Sequence, residues 1–167
     1  TLRESFTRLA AERIVERIPN RGVFLAMPDA DYIRDLFAAR AAIEPAAVRW
    51  GAFADAPSLV TLTSSAFDYA ARGERQEVSA INQRFHRTLV AALGSPTLNE
   101  QMDNLLARMR LTFLLAIPRY PQLHADHIQG NITLATLIAD GKRREAATLA
   151  HDSLMNTCEK ILAVLDD

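Results

Sequence analysis

Residues 77–98 read EVSAINQRFHRTLVAALGSPTL, and this stretch decides the fold class of the chain. Its apolar residues recur every three or four positions, which is the spacing of one face of an α-helix. They are Val78, Ile81, Phe85, Leu89 and Ala92. The Gly-Ser-Pro sequence at 94–96 ends this pattern, because glycine and proline interrupt helices. The stretch therefore predicts an amphipathic helix with one face in a core.

Similar patterns extend in both directions and fill the chain from residue 28 onward. Helices are predicted over residues 29–44, 45–53, 58–71, 77–93, 96–117, 124–139 and 142–165. Pro45 is expected to end one helix at Glu44 and to begin the next, because proline lacks the amide hydrogen that a helix interior needs. Helices of this length with short connections are typical of an antiparallel bundle, here with six or seven members.

The composition of the 167 residues agrees with a folded domain and excludes several other classes. Apolar residues make up 49% of the chain, which is ample for a core and excludes wholesale disorder. No uncharged apolar run approaches the length that spans a bilayer, so no membrane partner is expected. Cys158 is the single cysteine, which excludes internal disulfides and cysteine-rich zinc modules and favours a reducing, cytoplasmic location.

The first 27 residues follow a different pattern. Residues 1–13 carry a helical stripe that opens without an evident cap, so the sequence is expected to begin inside an element. The pattern then predicts two short strands joined by a Pro-Asn-Arg-Gly turn, at residues 14–18 and 23–27. A helix and hairpin of this kind form the back half of a winged helix. They are also consistent with an amphipathic helix and hairpin that pack on the bundle, and the pattern alone leaves both interpretations open.

Positive charge is concentrated in the same segment. Residues 1–22 contain five arginines and three glutamates, a formal charge of +2, whereas the remaining 145 residues carry −3. The net charge of −1 excludes a wholly basic nucleic-acid-binding surface, but it is compatible with a local basic patch.

Several stretches resemble one family of regulators. Residues 1–26, TLRESFTRLAAERIVERIPNRGVFLA, resemble the recognition helix and wing of GntR-family transcriptional regulators. The rest of the chain resembles the helical FCD effector domain of their FadR subfamily. The stretches that carry this second resemblance are DLFAARAAIEP at 35–45, NQRFHRTL at 82–89, GSPTL at 94–98 and LIADGK at 137–142.

The resemblance implies a mostly α protein with two parts. Residues 1–27 would be the C-terminal part of a winged helix, namely its recognition helix and β-hairpin wing. Residues 28–167 would be an antiparallel six- or seven-helix FCD bundle that binds an effector and dimerises. In the family two further helices of the winged helix precede this point, so we expect the sequence to be a fragment.

The resemblance also implies that the N-terminal segment binds operator DNA. The residues it places at the DNA are Thr1, Arg3, Asn20, Arg21 and Gly22. A recognition helix enters the major groove with its N-terminal end, and the planar fork of Arg3 suits a guanine or a phosphate there. The alternative for Arg3 is a surface ion pair. Contacts within the protein are expected instead for Arg8, Arg13 and Arg17.

Polar residues are expected to line a pocket inside the bundle. Asn82 and His86 lie four residues apart beside the apolar stripe, so they share a helical face. The resemblance implies that Asn131 and Ser153, 22 residues apart, complete a site that in FCD proteins binds a divalent metal, largely through histidines. Because amide and hydroxyl oxygens are poor ligands for transition metals, we expect an effector pocket without a tightly bound metal. If a metal does bind, His86, Asn82 and a shifted His127 are the expected ligands.

Arg40 has two interpretations. It matches an arginine of the family's Arg-Ala-Ala-(Leu/Ile)-Glu-Pro segment, where it would bind the carboxylate of an effector. It could equally form a structural ion pair with Asp35, Glu44 or another helix. The polar cluster as a whole also has a simpler interpretation, an internal hydrogen-bond network with bound water.

The predicted function is that of a transcriptional regulator, and no enzyme activity is expected. The sequence contains no His-Glu-x-x-His motif, glycine-rich phosphate loop or Gly-x-Ser-x-Gly elbow. We expect a homodimer that binds operator DNA, represses transcription and senses a small metabolite, most simply an organic acid. The alternatives are a metal-dependent FCD regulator, a helical enzyme that uses His86, and a dimerisation module without a ligand.

Overall fold

The structure is a computed structural model that describes residues 1–166, apart from the side chains of His124 and Asp166. It contains a helix, a β-hairpin and then six helices. In chain order these are α1 (Leu2–Ala11), β1 (Val15–Ile18), β2 (Gly22–Leu25), α2 (Ala30–Trp50), α3 (Ala56–Ala71), α4 (Arg75–Ala91), α5 (Pro96–Ala116), α6 (Leu123–Ala139) and α7 (Arg143–Asp166). This architecture confirms the predicted mostly α fold with its single hairpin. No helix in the described part of the chain is long and apolar enough to cross a membrane.

The N-terminal segment forms the predicted helix and hairpin. Thr1 caps α1, because its hydroxyl accepts a hydrogen bond from the Glu4 amide and the Glu4 side chain binds back to Thr1. The expectation of an uncapped start was therefore wrong. Strands β1 and β2 pair antiparallel, and Asn20 and Gly22 make the turn with φ of 60° and 111°. Both residue types tolerate this left-handed region.

The bundle core forms where the apolar faces of the helices meet. Helix α2 packs against α7, α5 and α4, and α3 packs against α6 and α4. The largest fully buried side chains include Phe37, Phe85, Leu89, Met102 and Ile161. Phe85 and Leu89 belong to the stripe that predicted α4, so the helical periodicity correctly identified the buried face.

Helix α2 runs through Pro45, whereas the sequence predicted a break at Glu44. Pro45 removes one backbone hydrogen bond, the one that an amide at this position would donate to Ala41. Phe37 and Val48, on the two sides of the proline, are fully buried. This packing offsets the missing hydrogen bond, so the two predicted helices are one, and the described bundle has six helices.

The C-terminal end of α2 is fixed by the first residue of α7. The guanidinium of Arg143 donates hydrogen bonds to the carbonyls of Val48 and Gly51, at 3.0 and 2.9 Å, and lies 4.3 Å from the centre of the Phe53 ring. Gly51 sits so close to the helix that a Cβ here would lie 2.5 Å from the Ala47 carbonyl oxygen. Arg143 thus satisfies carbonyls that the helix end leaves without partners.

Candidate effector cavity and DNA-binding segment

A cavity of about 120 Å³, the bundle cavity, lies inside the bundle between α2, α4, α6 and α7. The structure brings all five predicted effector residues to its wall. They are Arg40, Asn82, His86, Asn131 and Ser153. A single water needs only about 10–15 Å³ of such space, so the bundle cavity has room for a small molecule.

Two asparagines from different helices meet in this wall. Asn131 Nδ2 on α6 donates to Asn82 Oδ1 on α4 at 2.7 Å, and both side chains are half-buried. This contact joins residues 49 positions apart in sequence. Ser153 on α7 is exposed, so it lies at the open side of the bundle cavity rather than in its depth. The remaining Asn82 Nδ2 and Asn131 Oδ1 supply a donor and an acceptor beside the cavity.

A buried chain of three charged or titratable groups forms the deep wall. Arg40 Nε donates to Glu44 Oε1 at 2.6 Å, and Glu44 Oε2 lies 2.6 Å from His86 Nδ1. Glu44 is 1% exposed and Arg40 3%. Arg40 therefore has the ion pair that one of the two interpretations predicted, and the pairing partner is Glu44.

Glu44 is ionised in this setting. Burial alone would raise the pKa of its carboxyl, but the charge of Arg40, the interaction with His86 and the hydrogen bonds from both lower the pKa from 4.5 to about 2. An ionised carboxylate only accepts hydrogen bonds, so the proton of the shared bond lies on His86 Nδ1. The Glu44 contact thereby fixes which ring nitrogen of His86 is protonated.

The sequence predicted Glu44 only as one of the structural partners considered for Arg40, and not as the centre of the deep wall. A signal was present, because Arg40 and Glu44 are four residues apart and hence neighbours on one face of α2. What the sequence did not show is that this face is buried against α4, where His86 lies.

One donor in the deep wall has no hydrogen-bond partner among the described residues. Arg40 Nη2 is fully buried, and it makes no hydrogen bond with the described part of the chain. A buried guanidinium nitrogen without an acceptor is unfavourable, since it has lost its water. The same arginine lines the bundle cavity.

A second polar cluster contributes to the cavity wall, and the sequence analysis did not predict it. The Tyr120 hydroxyl donates to the Asp126 carboxylate, and Lys160 Nζ lies 3.4 Å from the same carboxylate. The hydrogen bond from Tyr120 lowers the pKa of Asp126, and its interaction with Lys160 acts in the same direction. These side chains come from the α5–α6 loop, α6 and α7, so only the folded chain brings them together.

The donor set does not fit a tightly bound transition metal. Among the side chains that the structure describes, no group of three or more His, Cys, Asp or Glu is placed to hold a metal ion. Asn82 and Asn131 are amides that bond to each other, and Ser153 is exposed. His127 does line the bundle cavity, but its ring stacks on Phe113 with centroids 5.7 Å apart.

The predicted DNA-binding residues all lie on the surface of the N-terminal segment. Thr1 and Arg3 are exposed at the start of α1, and Asn20, Arg21 and Gly22 are exposed in the hairpin turn. No ion pair or hydrogen bond of the Arg3 side chain occurs among the described residues, in contrast to the surface ion pair considered for it. Arg8 pairs with Glu12 at 2.8 Å, as expected for a residue with contacts inside the protein.

The chain matches a known domain family and a known regulator over most of its length. Residues 35–156, well over half of the chain, match the FCD domain. The chain is also 24% identical over 167 residues to the Nta operon transcriptional regulator of Aminobacter aminovorans, across 98% of this chain and 78% of that protein. The chain therefore belongs to the FCD domain family.

Solved structures agree with this assignment. The structure of a GntR transcriptional regulator from Rhodococcus sp. RHA1 matches this chain with a TM-score of 0.83 and 25% identity. The match covers 97% of this chain and 79% of that chain. The structure of Lar, which controls the expression of the Listeria monocytogenes agr system, shares the fold, with 16% identity and a TM-score of 0.72 across 97% of this chain and 79% of that chain. The protein is a transcriptional regulator of the GntR type with an FCD domain. The known proteins and structures that this chain resembles are transcriptional regulators and not enzymes.

Proposed function

We propose that this regulator is a repressor whose bundle cavity senses a small organic acid. In this proposal residues 1–27 read operator DNA, and residues 28–167 form the effector-binding and dimerisation domain of a FadR-subfamily protein. The observation that carries the proposal is the buried Arg40 Nη2 atom, a cationic donor in the cavity wall without an acceptor among the described residues. A carboxylate supplies the acceptor that this nitrogen lacks.

The neighbours of Arg40 support a carboxylate that carries further polar groups. The wall of the bundle cavity also offers hydrogen-bond donors and acceptors from Asn82, Asn131 and Ser153. His86, held by Glu44 through Nδ1, has its second ring nitrogen for a ligand. The cavity volume of about 120 Å³ favours a small metabolite over a long-chain one.

The N-terminal segment supports DNA binding by its exposure and charge. The helix start that carries Thr1 and Arg3 presents backbone amides and a positive dipole end, which favour phosphate. Arg21 in the hairpin turn adds a second exposed cation. Repression, rather than activation, is proposed because it is the commoner mode in the family that the chain resembles.

We also propose that the protein works as a homodimer, because two recognition helices read a two-fold symmetric operator. An apolar groove between α4 and α5 supplies a candidate interface, and Leu114 beside it is 66% exposed. Light scattering at micromolar concentration is expected to give twice the mass of one chain. A mass equal to one chain would contradict the dimer.

Calorimetric titration with small carboxylates tests the effector proposal. Lactate, succinate and citrate are the probes, and succinamide is a neutral analogue that matches succinate in size. At least one carboxylate is expected to bind, and succinamide is not. Arg40→Lys keeps a positive charge beside Glu44 but lacks the forked nitrogens, so it should weaken binding about tenfold or more, in keeping with the ~1.5–3 kcal/mol of a charge-assisted hydrogen bond.

Arg49→Lys is the matched control for Arg40→Lys. Arg49 lies on the same helix but stacks on the exposed Trp50, away from the bundle cavity. Its substitution should leave carboxylate binding unchanged. Equal binding by the native protein and Arg40→Lys, or equal binding of succinate and succinamide, would refute the assignment of Arg40 as the carboxylate anchor.

A further inference from the structure

A network centred on Asp35 ties the end of α1 to the bundle. Asp35 Oδ2 accepts a hydrogen bond from Arg13 Nη1 at 2.9 Å and another from Arg108 Nη2 at 2.8 Å. Arg13 lies two residues after the end of α1, Asp35 lies on α2, and Arg108 lies on α5. One carboxylate therefore joins the N-terminal segment to two helices of the bundle.

The same network binds the backbone at the end of α1. The Tyr32 hydroxyl donates to the Arg13 carbonyl at 3.1 Å, and Asn104 Nδ2 donates to the Glu12 carbonyl at 2.9 Å. The Tyr32 ring also contacts the guanidinium groups of Arg13 and Arg108, at 5.1 and 4.5 Å from the ring centre. Both carbonyls that follow α1 are thus held by side chains of the bundle.

The Asp35 and Arg13 side chains are each 54% exposed, so the network differs from an ordinary surface ion pair only through its buried members, Tyr32 and Arg108. An exposed pair contributes little to stability, but Tyr32 and Arg108 are each only 6% exposed. Without the Asp35 carboxylate, the buried Arg108 guanidinium would lose the one ion pair it makes among the described residues. The hydrogen bond from Arg108, which outweighs the effect of burial, lowers the pKa of Asp35, so the carboxylate is charged at neutral pH.

Helix α1 packs on β1 and has few other contacts with the bundle. None of its residues is buried, so no apolar side chain anchors it in a core. Arg13 itself adopts a φ of 58°, a left-handed value that bends the chain sharply between α1 and β1. The hydrogen bonds to the Arg13 and Glu12 carbonyls therefore hold the backbone at this bend.

We infer that Asp35 is a positioning residue, which fixes the orientation of α1 relative to the bundle through Arg13 and Arg108. Asp35 precedes Arg40 by five residues on the same helix, about 7.5 Å along its axis, so one rigid element runs from this network to the wall of the bundle cavity. The consequence for DNA binding rests on the proposed function of α1, but the orientation itself does not.

Spin-label distance measurements test this inference without DNA or effector. Labels at Thr7→Cys on α1 and Glu159→Cys on α7 report the orientation of α1, since both positions are exposed, whereas the native Cys158 is buried. Dilution with unlabelled protein restricts the signal to distances within one chain. Asp31→Asn is the matched control, because Asp31 is also an aspartate of α2 with an arginine partner, but its partner is Arg34 on the same helix.

The native protein and Asp31→Asn are expected to give the same narrow distance distribution. Asp35→Asn should shift and broaden it, while circular dichroism still shows a folded bundle. Arg13→Asn removes the guanidinium on the α1 side and keeps a residue that tolerates a left-handed φ, so it should have the same effect even if Asp35→Asn does not fold. An unchanged distribution in Arg13→Asn, or in a folded Asp35→Asn, would overturn the inference. Failure of every carboxylate to bind the bundle cavity would refute the proposed effector and leave this result untouched.

Discussion

His86 Nδ1 lies 2.6 Å from Oε2 of Glu44, a carboxylate that is 1% exposed and that also accepts a hydrogen bond from Arg40. This contact links α4 to α2 at the deep wall of the bundle cavity. It gives one buried negative charge two partners, which a buried carboxylate needs in order to stay ionised. The stability of the bundle and the chemistry of its cavity therefore depend on the same three side chains.

Glu44→Gln should destabilise the protein strongly. The variant removes the buried negative charge and leaves the Arg40 guanidinium without compensation, which typically costs about 3–5 kcal/mol in unfolding free energy. Urea unfolding followed by circular dichroism measures this loss. Glu12→Gln is the control, because Glu12 also pairs with an arginine four residues away, Arg8, whose side chain is 82% exposed. The loss of unfolding free energy in Glu12→Gln should stay below about 1 kcal/mol. Equal losses in Glu12→Gln and Glu44→Gln would contradict the stabilising role of Glu44.

Stability should fall as the pH is lowered from 4.5 toward 2. The pKa of Glu44 is about 2 in the folded protein and 4.5 in its ordinary setting, so its contribution is fully present above pH 4.5 and is lost as the carboxyl takes up a proton. This lowering of the Glu44 pKa corresponds to about 3 kcal/mol of unfolding free energy. Unfolding free energies at a series of pH values test this. The acid-dependent loss should be smaller in Glu44→Gln than in the native protein, and identical pH profiles would argue against a depressed pKa of Glu44.

Gly51→Ala should destabilise the bundle by about 1–3 kcal/mol, as overpacking does. The new methyl would lie 2.5 Å from the Ala47 carbonyl oxygen and 2.8 Å from Ala92 Cβ. Gly130→Ala is the control, because a Cβ at this glycine of α6 meets nothing within 4 Å. It should be neutral or stabilising by up to about 1 kcal/mol, since alanine is the better helix former. Thermal unfolding of both variants tests the close packing at the end of α2.

Arg3→Ala should weaken operator binding by about 1–3 kcal/mol if Arg3 reads a base. The control is Arg8→Ala, which removes the same charge from α1 but at a position that pairs with Glu12. Gel-shift titrations use an operator selected from random duplex DNA. Equal binding by native protein and Arg3→Ala would mean that the start of α1 does not enter the DNA.

The sequence predicted most of the secondary structure because the chain obeys simple patterns. Apolar residues such as Phe85 and Leu89 repeat at helical spacing, and the Asn20–Gly22 turn carries residues that tolerate a left-handed backbone. The prediction failed at Pro45, where local preference favours a break. Tertiary packing of Phe37 and Val48 on both sides of the proline outweighs that preference, and no local pattern reveals such packing.

The candidate site was predictable in part, for a related reason. Asn82 and His86 could be assigned to one inward face from their spacing, and the structure places both at the bundle cavity. The role of Glu44 depends on which helix packs against α2, and the cluster of Tyr120, Asp126 and Lys160 depends on three elements that meet only in the fold. Contacts between distant segments of this kind are not encoded in residue spacing.

Release of operator DNA by a small carboxylate tests the central claim most directly. The measurement is the fluorescence anisotropy of a labelled operator, titrated with the carboxylate that binds in calorimetry. The expected result is that the carboxylate releases DNA from the native protein and from Arg49→Lys, whereas Arg40→Lys needs about tenfold more carboxylate or does not respond. Undiminished DNA binding by the native protein at saturating carboxylate, or an equal response of Arg40→Lys, would contradict it.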